Sequence, residues 1–228
     1  MLSLPLNNLR TILCIGAHAD DIEIGCGGTL LKLLAGQPGM EVHWVVFGAS
    51  GQRAAEARAS AAAFLDGAGS CHVRVEGFRD SYFPYLGGCV KEAMEKVRDT
   101  VSPDIIFTHR RDDAHQDHRL LCELTWCAFR DHLILEYEVP KYDGDLGQPN
   151  VYMPLDEATC RRKIDLIMDG FPSQRSKAWF TDDTYWAMLR LRGIEAGGGT
   201  RFAEAFTARK LIVSLKGGQQ YGSAERTP

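Results

Sequence analysis

Four times between residues 11 and 132 an apolar run rich in β-branched residues is followed by a stretch of helical character. TILCIGA (11–17) precedes GTLLKLLAG (28–36), and VHWVVFG (42–48) precedes QRAAEARASAAAFLDG (52–67). HVRVEGF (72–78) precedes VKEAMEKVRDTV (90–101), and DIIFTH (104–109) precedes RLLCELTWCAFRDH (119–132). Val90, Met94, Val97 and Val101 recur at helical spacing and share one face. An alternation of this kind is satisfied by strands in parallel with helices packed on the sheet's faces. The expected fold is therefore α/β, a mostly parallel sheet flanked by helices. At 228 residues the chain can bury one core as a single domain, expected over 1–216 with a tail over 217–228. Beyond residue 150 the pattern loosens into two helices (156–171 and 182–195), a glycine turn AGGGT (196–200) and a final strand-like RKLIVSL (209–215).

Charge and cysteine content narrow the classes. A net charge of -4 gives no global attraction to nucleic acid or to an anionic membrane. No apolar run approaches the roughly 20 residues that span a bilayer, so no integral membrane segment is expected. MLSLPLNNLRTILCIGA lacks a basic leading segment and a cleavage site, which points to a cytoplasmic protein. The seven cysteines form no CxxC pair and fall mostly inside apolar runs, as reduced, buried thiols do. A homo-oligomer is compatible with all of this.

The first strand-like run empties directly into GAHADDIEIGCGGT (16–29), which sets a histidine, two aspartates and a glutamate within six positions. Buried carboxylates at that density require partners. A second cluster, RRDDAHQDHR (110–119), follows the run DIIFTH. In a parallel sheet both clusters emerge at the C-terminal ends of strands, on the edge where ligands collect. Together they offer imidazole and carboxylate, the ligand set of a catalytic zinc with three protein ligands and an open position. His18 and Asp21 are three apart, as are His115 and His118, so each pair can face one point. Asp20 points elsewhere, as a base beside the metal would.

Each motif has a plainer reading on its own. DD favours a helix N-terminus, where acids meet the positive end of the dipole, and HxDH can open a surface helix. Their conjunction, each behind its own strand, favours the metal. A dinucleotide fingerprint needs G-x-G-x-x-G straight after the strand. Here Gly25, Gly27 and Gly28 follow the acids, which would repel a pyrophosphate.

AHADDIEIGCGGT resembles the AHPDD-type signature of the LmbE-like, or PIG-L, zinc-dependent N-deacetylases, and HQDH resembles their HxDH motif. The likeness continues through GQRAAEARASAAA, SPDIIFTH and GGGTRFAEAF, and so covers most of the chain. It implies a Rossmann-like sheet and metal-dependent hydrolysis of the N-acetyl amide of an amino sugar or its conjugate. A different amide, such as a thiol conjugate or a larger acyl amide, is the alternative within the class, and a non-catalytic nucleotide-binding protein the alternative outside it. The resemblance assigns Zn2+, or another divalent ion such as Fe2+, to His18, Asp21 and His118. It makes Asp20 the general base, and His115, protonated, the group that supports the oxyanion or protonates the leaving amine. Ala19 stands where the family usually has proline, which relaxes the loop without removing a ligand.

Around that centre, Asp117 is expected to orient one of the two histidines flanking it, or to cap the helix that follows. Arg53 opens the second helix and could grip a sugar hydroxyl, carboxylate or phosphate, or pair with Glu56. Arg110, Arg111, Asp112 and Asp113 are expected either to line the mouth of the site, with Asp113 as a substrate contact, or to form a solvated charged loop. The stretch EVPKYDGDLGQPNVY is long for a connection and is read as a lid carrying Tyr142 as a stacking surface. Trp179 and Trp186 suit core packing better than sugar stacking. Glu204 in AEAF resembles a recurring family feature, without a role that the sequence supplies.

Overall fold

The structure, a computed structural model, describes residues 3–213. In chain order the elements are β1 (Thr11–His18), α1 (Asp21–Gly36), β2 (Glu41–Gly48), α2 (Gly51–Phe64), β3 (Ser70–Val75), α3 (Gly87–Arg98) and β4 (Ile105–His109). They continue as α4 (Gln116–Ala128), β5 (Leu133–Tyr137), β6 (Val151–Leu155), α5 (Glu157–Gly170), α6 (Asp182–Ala196) and β7 (Phe202–Thr207). The seven strands form one sheet in the order β3-β2-β1-β4-β5-β7-β6. Its first five strands run parallel, and β7 and β6 pair antiparallel at the far side.

Alternate residues along each strand feed two separate cores. Ile12, Cys14, Val42, Trp44 and Val46 pack with Phe64, Ile164 and Leu189 under α1, α2, α5 and α6. Leu13, Ile15, Val45 and Phe47 pack on the other face with Val90, Met94, Val97 and Leu121 of α3 and α4. Val101 packs against this second core from its edge, so the helical face read from the sequence is the buried one.

The sequence understates the start of α1 and misplaces the last strand. Helix α1 begins at Asp21, so the acids and glycines lie within its opening turns. Those glycines permit close packing: a Cβ on Gly25 would fall within the Tyr137 ring, and one on Gly28 would meet Leu155 and Glu204. The final strand is β7, upstream of the expected 209–215, where residues 209–213 carry no strand and 214–215 lie outside the described residues. Glu204 interrupts the apolar run of FAEAFT that would mark it as a strand. The tail expected over 217–228 also lies outside the described residues. Strands β5 and β6 were not foreseen, because LILEY follows α4 closely and VYMPL is short and holds a proline.

All seven cysteines are free; Cys14, Cys26, Cys122 and Cys160 are buried, but Cys71, Cys89 and Cys127 are exposed, against the expectation of burial. No helix among the described residues is long and apolar enough to cross a membrane.

Candidate active site

Strand β1 pairs with β2 on one side and β4 on the other, so the strand order reverses between β1 and β4. A crevice opens at such a reversal, outside the C-terminal strand ends. His18 closes β1, Asp20 and Asp21 open α1, and His115, Asp117 and His118 open α4 just beyond β4. Clusters about a hundred residues apart thus meet: His18 Nδ1 lies 3.2 Å from His118 Nε2. Asp21 Oδ2 lies 3.4 Å from the former and 3.5 Å from the latter. An ion with bonds of about 2.0–2.2 Å holds tetrahedral donors at roughly 3.3–3.6 Å from one another.

The groups behind these atoms decide what they present. His118 Nδ1 donates to Asp113 Oδ2 (3.1 Å), which leaves Nε2 with a lone pair. His18 Nε2 is held by Asp117 Oδ2 (3.3 Å) and Asp80 Oδ1 (3.2 Å), so the neutral ring keeps its proton on Nε2 and turns the Nδ1 lone pair to the centre. With both rings neutral, two imidazole lone pairs and a carboxylate oxygen facing one another repel unless a positive charge, a proton or a metal ion, lies between them. The donor set therefore fits a divalent ion of the zinc class. The same demand for positive charge is visible in the protonation of the site. Burial opposes it, yet Asp21, Asp117 and Asp80 hold the His18 imidazole well above its usual range. Burial would raise Asp21, but His118, His109 and His18 hold it well below the usual carboxylate range. His118 is pushed down to about 4 by burial and by its neighbour His109.

Asp117 does orient a histidine, but neither of its sequence neighbours. Fully buried, it accepts the backbone N–H groups of Ser81 (2.6 Å) and Phe83 (3.0 Å) as well as His18. It ties the loop after β3 to the site, while His115, not Asp117, caps α4 through its side chain. Asp113 is corrected more fully. It is buried behind His118, accepts the backbone N–H of His115 (2.8 Å) and the Lys141 ammonium (3.0 Å), and has no place at the mouth. Arg110 is bound to the Asp145 carbonyl, and neither Arg110 nor Arg111 lines the cleft.

Asp20 is buried beside the donors, and its Oδ1 accepts from Arg53 Nη2 at 2.6 Å while Oδ2 has no hydrogen-bond partner. Burial raises its carboxyl and Asp21 adds to this, while Arg53 opposes it. Arg53 thus serves the candidate base first; its other nitrogen approaches Glu56 at 3.5 Å, and the residue still lines the cleft. His115 accepts the Asp117 backbone N–H at Nδ1 (3.2 Å), so its neutral ring carries the proton on Nε2. Burial and the nearby His18 push its pKa down, which makes it a neutral donor and not the imidazolium expected.

The cleft encloses about 920 Å³ and includes His18, Asp20, His115, Arg53, Tyr142 and Trp179 in its walls. Tyr142 is exposed at its rim; Trp179 joins it, whereas Trp186 lies under Arg161 and against Phe202. The stretch read as a lid contributes Val139 to Asp143 to the wall, but is tied down behind by Arg192 to the Gly147 carbonyl (3.2 Å) and by Asn150 to Ala208.

His109 and Asp80 escaped the sequence reading. His109 is buried, stacked 3.8 Å from His118, and accepts the Ala17 N–H at Nε2 (2.8 Å). Its only sequence signal was its position at the end of β4. Asp80 likewise sits in the loop after β3, on the ligand-bearing edge. Glu23 is wholly buried, and burial pushes its carboxyl well above the usual range. Glu204 proves structural: it accepts Gly28 N (2.8 Å), Thr29 N (2.6 Å) and Lys163 Nζ (2.6 Å), clamping α1 and α5 to β7.

Residues 13–129 match the PIG-L family model, described as GlcNAc-PI de-N-acetylase. An uncharacterized deacetylase of Escherichia coli strain K12, YaiS, is 32% identical over 148 residues, covering 59% of this chain and 76% of that protein. The N,N'-diacetylchitobiose deacetylase of Pyrococcus horikoshii superposes with a TM-score of 0.66 at 21% identity, over 90% of this chain and 85% of that one. The 4-carboxy-2-hydroxymuconate hydratase of Pseudomonas putida KT2440 superposes with a TM-score of 0.69 at 17% identity, over 90% of this chain and 98% of that one. One fold thus carries both a deacetylase and a hydratase, so chemistry has to be argued from the site.

Proposed function

The chain belongs to the PIG-L (LmbE-like) family of deacetylases, and from that premise we propose that it hydrolyses the N-acetyl amide of an amino sugar or amino-sugar conjugate, with zinc held by His18, Asp21 and His118. The observation that carries this reading is the convergence of three lone-pair donors beside a buried carboxylate with one free oxygen. When bound, a zinc ion lowers the pKa of water to about 7 and polarises an amide carbonyl.

The protein's own groups account for the proton traffic. Asp20, held at Oδ1 by Arg53, takes the proton of the attacking water on Oδ2. As the acetyl carbon becomes tetrahedral, its oxygen gains negative charge, and the His115 Nε2–H donates to it. Asp20 then passes its proton to the nitrogen as the C–N bond breaks, which gives acetate and a free amine. Asp113 and Asp117 keep the two imidazoles in the tautomers that expose lone pairs to the centre.

The cleft also bears on the substrate. Tyr142 and Trp179 offer ring faces at its wall, suited to a sugar. Arg79 and Lys177 line it as well, and among the described residues neither is ion-paired; they rest on Tyr82 and Trp179 respectively. This lining suits a hydroxyl-rich substrate with an anionic substituent better than an apolar acyl chain.

The test is a panel of N-acetylated sugars, sugar phosphates and long-chain N-acyl amides, assayed for released amine with protein reconstituted with Zn2+ and, in parallel, Fe2+. Release of acetate and amine from an N-acetyl sugar is expected. Faster hydrolysis of a long-chain amide would replace this reading with the amidase alternative.

A further inference from the structure

At the opposite end of the sheet from the cleft, three side chains converge that the chemistry above does not use. Glu41 opens β2 opposite Ser70 of β3, and two residues on His43 pairs in register with His72. Alternate residues of a strand share a face, so Glu41, His43 and His72 project on the side of Val45, toward the α3–α4 layer. The two imidazoles stack with centroids 4.5 Å apart and planes 20° apart. Both Nε2 atoms reach the same oxygen, Glu41 Oε1, at 3.0 Å each.

We propose that Glu41, His43 and His72 form a second divalent-metal site, selective for Zn2+, Cu2+ or Ni2+, separate from the catalytic centre. Their ligand atoms form a compact three-donor group of two imidazole nitrogens and one carboxylate oxygen. That donor set favours late first-row ions over Mg2+ and Ca2+, which prefer oxygen alone. The site is largely preorganised, because the register of β2 and β3 fixes the spacing of the donors. It is also open to solvent, with the side chains of His72, Glu41 and His43 being 55%, 41% and 16% exposed, so an ion enters without any opening of the fold. Three protein donors leave further coordination positions to water. The next side chain on the same face, Arg74, is paired with Glu76, which reduces the repulsion it would exert on an arriving cation. β3 is an edge strand held on one side only, by β2, and a shared ion would fasten it there.

The test counts metal per chain in the full-length protein after equilibration with micromolar Zn2+ and removal of the free ion. The parent is expected to hold one zinc more than either His72→Ala or His43→Ala. Both variants should keep the parent's far-UV spectrum and its activity on whichever substrate is found. Glu41→Gln, which preserves shape and hydrogen bonding, should weaken the site without altering the fold. With Cu2+ as probe, the parent should show a paramagnetic signal with two nitrogen donors that His72→Ala loses. Zinc content unchanged by His72→Ala, or a parent that holds no zinc beyond the ion lost in His118→Ala, would overturn the proposal.

Discussion

Arg53 Nη2 stands 2.6 Å from Asp20 Oδ1, joining the first turn of α2 to the first turn of α1 across the mouth of the crevice. It fixes the orientation of the candidate base and lowers its pKa against the effect of burial. Arg53→Ala should therefore reduce kcat, by about 10²-fold if the carboxylate is misplaced. It should also move the acidic limb of the pH–rate profile to higher pH, because the base then holds its proton more tightly. A rise in KM with kcat and the limb unmoved would instead make Arg53 a substrate contact alone.

Removing a donor differs from removing the base. His18→Ala and His118→Ala should lose zinc and activity together. Asp20→Asn should keep its zinc and lose roughly 10²–10⁴-fold in turnover. Elemental analysis beside steady-state rates separates the cases, and full metal content in an inactive His118→Ala would remove that residue from the ligand set.

The two aspartates behind the imidazoles should behave alike although Asp113 precedes α4 and Asp117 lies in its first turn. Asp113→Asn and Asp117→Asn each disturb the tautomer of one histidine and should weaken zinc affinity about 10–100-fold. Competition with a chromophoric chelator measures this directly. Asp117→Asn should also loosen the loop that presents Asp80, since Ser81 and Phe83 donate to the same carboxylate.

Zinc uptake should release a proton. The His18 imidazole is held well above its usual range by three carboxylates, so at neutral pH the ion has to displace that proton. Apparent affinity should rise with pH until His18 is deprotonated, and then level off. Titration calorimetry in buffers of different ionisation enthalpy reads the proton count; a count of zero would contradict this picture.

Glu204 and Lys163 are buried together, and truncating one strands the other. Lys163→Met or Glu204→Ala alone should cost about 3–5 kcal/mol, as measured by denaturant unfolding. Replacing both with apolar residues should cost less than the two single losses added, although Gly28 and Thr29 would still lack their acceptor. Strict additivity would mean that the ion pair itself matters little.

Periodicity and motif order determined a good deal by themselves. The alternation through residue 132 specified a parallel α/β sheet, because the burial of apolar faces is encoded locally in which positions are hydrophobic. The placement of HADD and HQDH behind their own strands put both on the ligand-bearing edge, and so brought His18, Asp21 and His118 within reach of one point. Which carboxylate serves which group was decided only by the tertiary structure. Asp117 turned to His18 across 99 positions, Asp113 withdrew behind His118, and Arg53 turned inward to Asp20. Glu204, an acid in an apolar strand, is tolerated because Lys163 and two helical N–H groups meet it from elements far away in the chain. Such partnerships depend on strand order and on how helices cross the sheet, which bring together residues whose local sequences carry no trace of one another.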